Sequence, residues 1–92
     1  MTLNELKNKL SSERHVVGSL QIICGEKYES PDVMGIYEED GVWHVYDTND
    51  RGRICVIDEG NENDMTEEFY QYVLKKEKWY LKKKESNLKK KE

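Results

Sequence analysis

The chain has 92 residues, with 15 Lys and Arg against 19 Asp and Glu for a formal charge of −4; 36% of its residues are apolar and 37% charged. That length excludes a two-domain enzyme, and that composition allows only a small core, so the domain has little stability to spare and dimerisation would help it. Six Tyr and two Trp exclude a disordered chain.

The first residues, Met1-Thr2-Leu3-Asn4-Glu5, contain no basic segment leading into an apolar run, and no stretch approaches the roughly 18 apolar residues of a membrane span. The expectation is a cytoplasmic protein without a membrane partner. Thr2 followed by Glu5 has the spacing of a capping box, and Leu3, Leu6 and Leu10 recur at helical intervals, predicting an amphipathic helix over residues 2–14. From Val16 to Gly25 the β-branched residues Val16, Val17, Ile22 and Ile23 predict a strand, irregular near Gly18. The polar stretch Tyr28-Glu29-Ser30-Pro31-Asp32 reads as a loop, because Pro31 pushes Ser30 out of helical conformation.

A hairpin follows. Residues 33–38 and 42–46 flank Glu39-Asp40-Gly41, and an Asp-Gly pair supplies the positive φ angles of a tight turn. With Asp40 and Gly41 at its centre, Glu38 faces Trp43, Tyr37 faces His44 and Ile36 faces Val45. One sheet face then carries Met34, Ile36, Trp43 and Val45, the better core set, and the other carries Val33, Tyr37, His44 and Tyr46. A second turn over residues 47–52 leads to a third meander strand, 53–57. After the acidic loop 58–64, Asp64 or Thr66 can cap a helix whose stripe Met65, Phe69, Tyr72, Val73, Lys76 and Tyr80 predicts a run from about residue 65 into the 80s. The Lys-rich residues 86–92 have too little apolar spacing to dock and are expected to fray, leaving one domain over 1–85. The fold class is α+β: two layers, a mostly antiparallel four-stranded sheet in the order α-β-β-β-β-α, with both helices on one face. Whether the 16–24 strand pairs with the meander's first or last strand is open at this level.

Charge is unevenly distributed. Residues 75–92 hold nine lysines and three glutamates, a local +6, while six basic and sixteen acidic residues leave −10 elsewhere. Late-helix lysines complement the helix dipole and need no partner. A nucleic-acid role for them is disfavoured by the acidic body and by the lack of arginine and interleaved aromatics. The acids fall in three loops: Glu38, Glu39 and Asp40; Asp47 and Asp50; and Asp58, Glu59, Glu62 and Asp64. Such a surface steers a basic protein toward it.

Catalytic and metal-binding patterns are missing from the sequence. His15 and His44 stand in no metal-ligand spacing, and Cys24 and Cys55, each inside an apolar run with no CxxC spacing, read as two free, buried cysteines. The segment Asp47 to Asp58 approximates a calcium loop at Asp47, Asn49, Gly52 and Asp58, but Arg51 occupies a ligand position, so it reads as a turn plus strand. No nucleophile elbow or phosphate loop occurs, and His44 beside Tyr37 reads as a sheet-face residue rather than a general base. The expectation is a non-enzyme without catalytic residues, cofactor or metal.

Gly35-Ile36-Tyr37-Glu38, Asp40-Gly41, Trp43, Val45-Tyr46 and the later Arg51-Gly52 resemble small immunity proteins of bacterial polymorphic toxin systems, in which an IYExDGxWxVY hairpin and a downstream RG turn recur. The likeness spans residues 35–81. It implies a cytoplasmic antitoxin that neutralises a cognate basic toxin, often a nuclease, by covering its active surface. Tight inhibition needs an aromatic anchor within a polar rim, so the expected partner-binding set is Tyr37, Glu38, Glu39, Asp40, Trp43, Tyr46, Asp47 and Asp50, with Trp79 a further anchor candidate if exposed. The alternatives are a homodimeric structural or regulatory protein and a weak nucleic-acid binder acting through the Lys-rich C-terminus.

Overall fold

The computed structural model describes the backbone of residues 1–90 and side chains through Lys83. Helix α1 (Leu3–Glu13) is followed by β1 (Gln21–Cys24), β2 (Val33–Glu39), β3 (Val42–Thr48), β4 (Ile54–Gly60) and α2 (Glu62–Lys90). The four strands form one open sheet in the order β1-β2-β3-β4, antiparallel except for the parallel β1–β2 pair. This is the expected α+β arrangement, and it settles the first strand's place beside β2.

Local chemistry explains the ends of the elements. Thr2 caps α1 in a complete capping box with Glu5, and the helix closes on Arg14 in left-handed conformation. Asp40 (φ 53°) and Gly41 (φ +79°) form the hairpin turn, and the register Ile36↔Val45, Tyr37↔His44 and Glu38↔Trp43 is the expected one. Helix α2 begins three residues earlier than expected, because Asn61, not Asp64 or Thr66, is the cap: its Oδ1 accepts the Asp64 amide at 2.7 Å. Thr66 is instead fully buried, its hydroxyl within 2.6 Å of the Met1 carbonyl. The expected fraying of 86–92 falls on residues whose side chains lie outside the described ones, although the α2 backbone is helical to Lys90.

Both helices cover one face. Leu6 of α1 and Met65, Phe69 and Val73 of α2 bury against Met34, Ile36 and Val45, with Trp43 and Ile57 packed at the margin. Burial of these side chains is the main stabilising term, each contributing about 1.5–3 kcal/mol.

The opposite face holds a second cluster, Val33, Tyr37 and Tyr46, with Ile23 and Ile54 beside it. Residues 25–32, which return the chain from β1 to the start of β2, lie over this cluster. The Tyr46 hydroxyl donates to the Glu26 carbonyl at 2.8 Å and accepts the Tyr28 amide at 3.0 Å, while Thr48 Oγ1 accepts the Val33 amide at 3.0 Å. Gly35 makes this possible: a Cβ there would overlap the Tyr46 phenol. A Gly35→Ala variant is accordingly expected to lose about 1–3 kcal/mol, typical of overpacking, read as a lower urea midpoint. An unchanged midpoint would show that the Tyr46 ring can move aside.

Two strand expectations need correction. Strand β4 runs on to Gly60 through residues expected to belong to the acidic loop. Only residues 21–24 of the 16–25 stretch pair as a strand, because Val16 is held against α2 and Gly18 (φ +69°) lies directly beside the Tyr80 ring. Cys24 is partly buried, and burial pushes its thiol pKa up, but Cys55 is exposed on the edge strand β4. Both cysteines are free. Residues 47–58 form a turn plus strand, with Asn49 Oδ1 accepting the Arg51 and Arg53 amides at 2.9 Å each.

Candidate interaction surface

Strand order brings together acids that are far apart in sequence. Glu39 pairs with Val42 at the hairpin end, and Trp43 and His44 pair with Gly60 and Glu59. The β2–β3 turn and the β4–α2 junction therefore lie at the same end of the sheet. Glu38, Glu39, Asp40, Asp58, Glu59 and Asp64 are exposed there, and Glu62 is half-buried. Crowding is visible in protonation: a hydrogen bond with Asp58 holds the Glu68 carboxyl above its ordinary value and holds Asp58 below its own. The Lys27–Glu39 ion pair at this end, 3.0 Å between half-exposed groups, is of the kind that contributes about 0–1 kcal/mol.

Asp47 and Asp50 do not join this surface. Asp47 pairs with Met34 and Cys55 near the opposite end of β3, roughly 17 Å from Val42 at ~3.4 Å per residue. That exceeds the Debye length of about 8 Å at physiological salt. Arg51 and Arg53 also balance the two aspartates locally. The Asp47/Asp50 loop is thus separate from the other two.

Burial sorts the aromatic candidates. Tyr46 is fully buried and Tyr37 is 6% exposed, so neither is available as a surface anchor. The physical reason is the 25–32 connection, which occupies the sheet face they were expected to present. Tyr37 instead stacks on His44 at 4.7 Å, with the Lys27 ammonium 4.9 Å from its ring. His44 Nδ1 is buried and makes no hydrogen bond among the described residues; the Glu59 carboxylate stands 3.6 Å away. Trp43 is half-buried against the helix-side core. Of the four aromatic candidates only Trp79, at 62% exposure, stands open, and it lies on α2 away from the acidic end.

A network unforeseen from sequence ties the helices together. His15 lies between Glu77, 2.9 Å from Nδ1, and Glu13, 2.7 Å from Nε2. Glu77 also accepts the Val16 amide at 2.6 Å, and Tyr70 donates to Glu13 at 2.6 Å. The hydrogen bond to Glu77 is the main cause raising the His15 pKa above 6.5. The same bond lowers Glu77, and the Tyr70 hydroxyl lowers Glu13, both from 4.5, while Glu13 pushes the Tyr70 phenol up to about 12. No local pattern links residues 62 apart in sequence, so only the packing of α1 on α2 exposes this cluster.

The sign of the linkage follows. The imidazolium's contribution is complete below 6.5 and is lost as pH rises through the higher folded value; the carboxylates contribute fully above 4.5 and lose it as pH falls. A neutral ring has one N–H and turns a lone pair toward the other carboxylate. The melting temperature of the native chain is therefore expected to decline as pH rises above 6.5, relative to His15→Gln, which lacks this titration. Parallel profiles would remove His15 from the network's energetics.

Among the described residues no group of three His, Cys, Asp or Glu is placed to hold a metal, and no helix is long and apolar enough to cross a membrane. No protein-family model, curated protein or solved structure matches the chain.

Proposed function

We propose that this chain is a non-enzymatic protein-binding domain, an immunity protein that neutralises a basic bacterial toxin by laying its acidic end over the toxin's cationic surface. The observation that carries the reading is the convergence of Glu38, Glu39, Asp40, Asp58, Glu59, Glu62 and Asp64 at one end of the sheet. A rigid hairpin turn and a capped helix start hold these carboxylates, so a partner meets a preformed anionic surface resembling the polyanion that a nuclease binds. The likeness of the hairpin to immunity proteins supports the same reading. Val42, 39% exposed beside the turn, supplies apolar contact within the charged rim. Asp47, Asp50, Tyr37 and Tyr46 drop out of the proposed surface, and Asp58, Glu59, Glu62 and Asp64 enter it.

The test is affinity capture from the producing cell with native bait and with a Glu38→Lys/Glu39→Lys/Asp40→Lys bait. A single basic protein retained stoichiometrically by the native bait at moderate salt and lost from the variant is the expected result. Equal retention on both baits would contradict the acidic docking surface.

A further inference from the structure

Helix α2 is much longer than the sheet it covers. Its 29 residues span about 43 Å at ~1.5 Å each, whereas the seven residues of β3 span about 23 Å. One face of this helix carries Tyr72, Lys75, Lys76, Trp79, Lys82 and Lys83, positions that successive turns place within one arc. Lysine and aromatic side chains alternate along it. Lys75 Nζ stands 6.0 Å from the Tyr72 ring centre and Lys83 Nζ 4.9 Å from that of Trp79. Tyr72, Lys75, Lys76 and Trp79 together line an open groove of about 370 Å³, and neither Lys75 nor Lys76 forms an ion pair among the described residues.

The acidic body brings a near carboxylate to this place, Asp32, which lines a hollow with Lys76 and Trp79 and is outnumbered there by the four lysines. Trp79, Lys82 and Lys83 lie 11 to 15 residues beyond Glu68, the last acid of the acidic end, roughly 16–23 Å along the axis and about two to three Debye lengths away, while Lys75 is near enough to favour the Glu68 carboxylate. Glu77, the carboxylate inside this stretch, is turned away and engaged by His15 and the Val16 amide. The aromatic interleaving that the linear sequence does not display is therefore present on the folded helix face.

We propose that the Tyr72–Lys83 face of α2 binds single-stranded nucleic acid, with the Trp79 ring stacking on a base and Lys75, Lys76, Lys82 and Lys83 contacting phosphates. Stacking accepts any base, and lysines carry no base code, so the binding is expected to be sequence-tolerant and strongly salt-dependent. A duplex offers no unstacked base to Trp79. A bilayer is a poorer fit, because lysines interrupt the aromatic stripe at every turn and Leu81 projects from the other side of the helix. This surface is independent of the acidic end, and either assignment can fail alone.

The experiment is a fluorescence-anisotropy titration of the full chain with labelled oligothymidylate, a duplex of equal length and, as competitor, polyglutamate. At about 50 mM salt the single strand is expected to bind, with a log–log salt slope of about −0.7 per phosphate contacted. Trp79→Ala should weaken binding roughly tenfold, and Trp79→Phe should retain most of it. Lys75→Gln/Lys76→Gln should weaken binding and flatten the slope. Melting curves confirm that each variant is folded, as substitution at so exposed a tryptophan allows. Absence of binding at low salt, equal affinity for the duplex, an unaffected Trp79→Ala variant, or charge-for-charge competition by polyglutamate would each overturn the proposal. The last of these would assign the face to an acidic protein.

Discussion

Replacing Tyr46 by alanine is expected to lower folding stability by about 3–5 kcal/mol, the range for losing a fully buried aromatic ring. The ring joins three parts of the molecule: it packs edge-on against Tyr37 at 5.5 Å, crosses β2 at Gly35, and ties down the 25–32 connection through Glu26 and Tyr28. A small domain with about 5–15 kcal/mol in total loses much of its folded population from such a change. Tyr46→Phe separates the contributions. It keeps the ring but leaves the Tyr28 amide and Glu26 carbonyl without their partner, an expected loss of about 1–2 kcal/mol. Urea unfolding followed by circular dichroism measures both; a Tyr46→Ala loss under about 1 kcal/mol would mean that the second face is not a core.

Reversing the charge of the hairpin turn is expected to slow association with the proposed cationic partner tenfold or more at low salt, since steering of this kind changes on-rates by about 10–10³. Dissociation should change less, because rim charges act chiefly on the encounter. Raising the ionic strength should bring the native and variant rates together. Glu38, Glu39 and Asp40 are exposed and belong to no apolar cluster, so the substitutions spare the core, and melting curves check that the turn at Asp40 (φ 53°) survives them. A rate difference that persists at high salt would indicate direct contact rather than steering.

The elements legible in the sequence are those whose signals are local. The Thr2–Glu5 box set the start of α1, and the Asp40-Gly41 pair fixed the hairpin register, which in turn assigned Met34, Ile36, Trp43 and Val45 to one face. The α2 start lies ahead of the expected one, at Asn61, whose side chain accepts the Asp64 amide three residues on. Nonlocal features were hidden. Tyr46 is held by a backbone carbonyl and a backbone amide, which leave no mark on residue identity. His15 and Glu77 meet only because α1 docks on α2, and the union of two acidic loops depends on β4 running back antiparallel to β3. The same strand order removes Asp47 and Asp50 from the site. In the sequence those two residues look as much a part of an acidic surface as Glu38 and Asp40.

The most direct test of the docking surface compares Glu38→Lys/Asp40→Lys with Asp47→Lys/Asp50→Lys. Each pair changes the net charge equally, so the overall field of the chain shifts by the same amount and only position differs. The quantity to measure is the association rate with the captured basic partner at low salt, after melting curves show both variants folded. The hairpin pair should slow association about tenfold, and the Asp47/Asp50 pair should leave it within about twofold. Equal slowing by both would contradict a localised acidic docking end and reduce the effect to net charge.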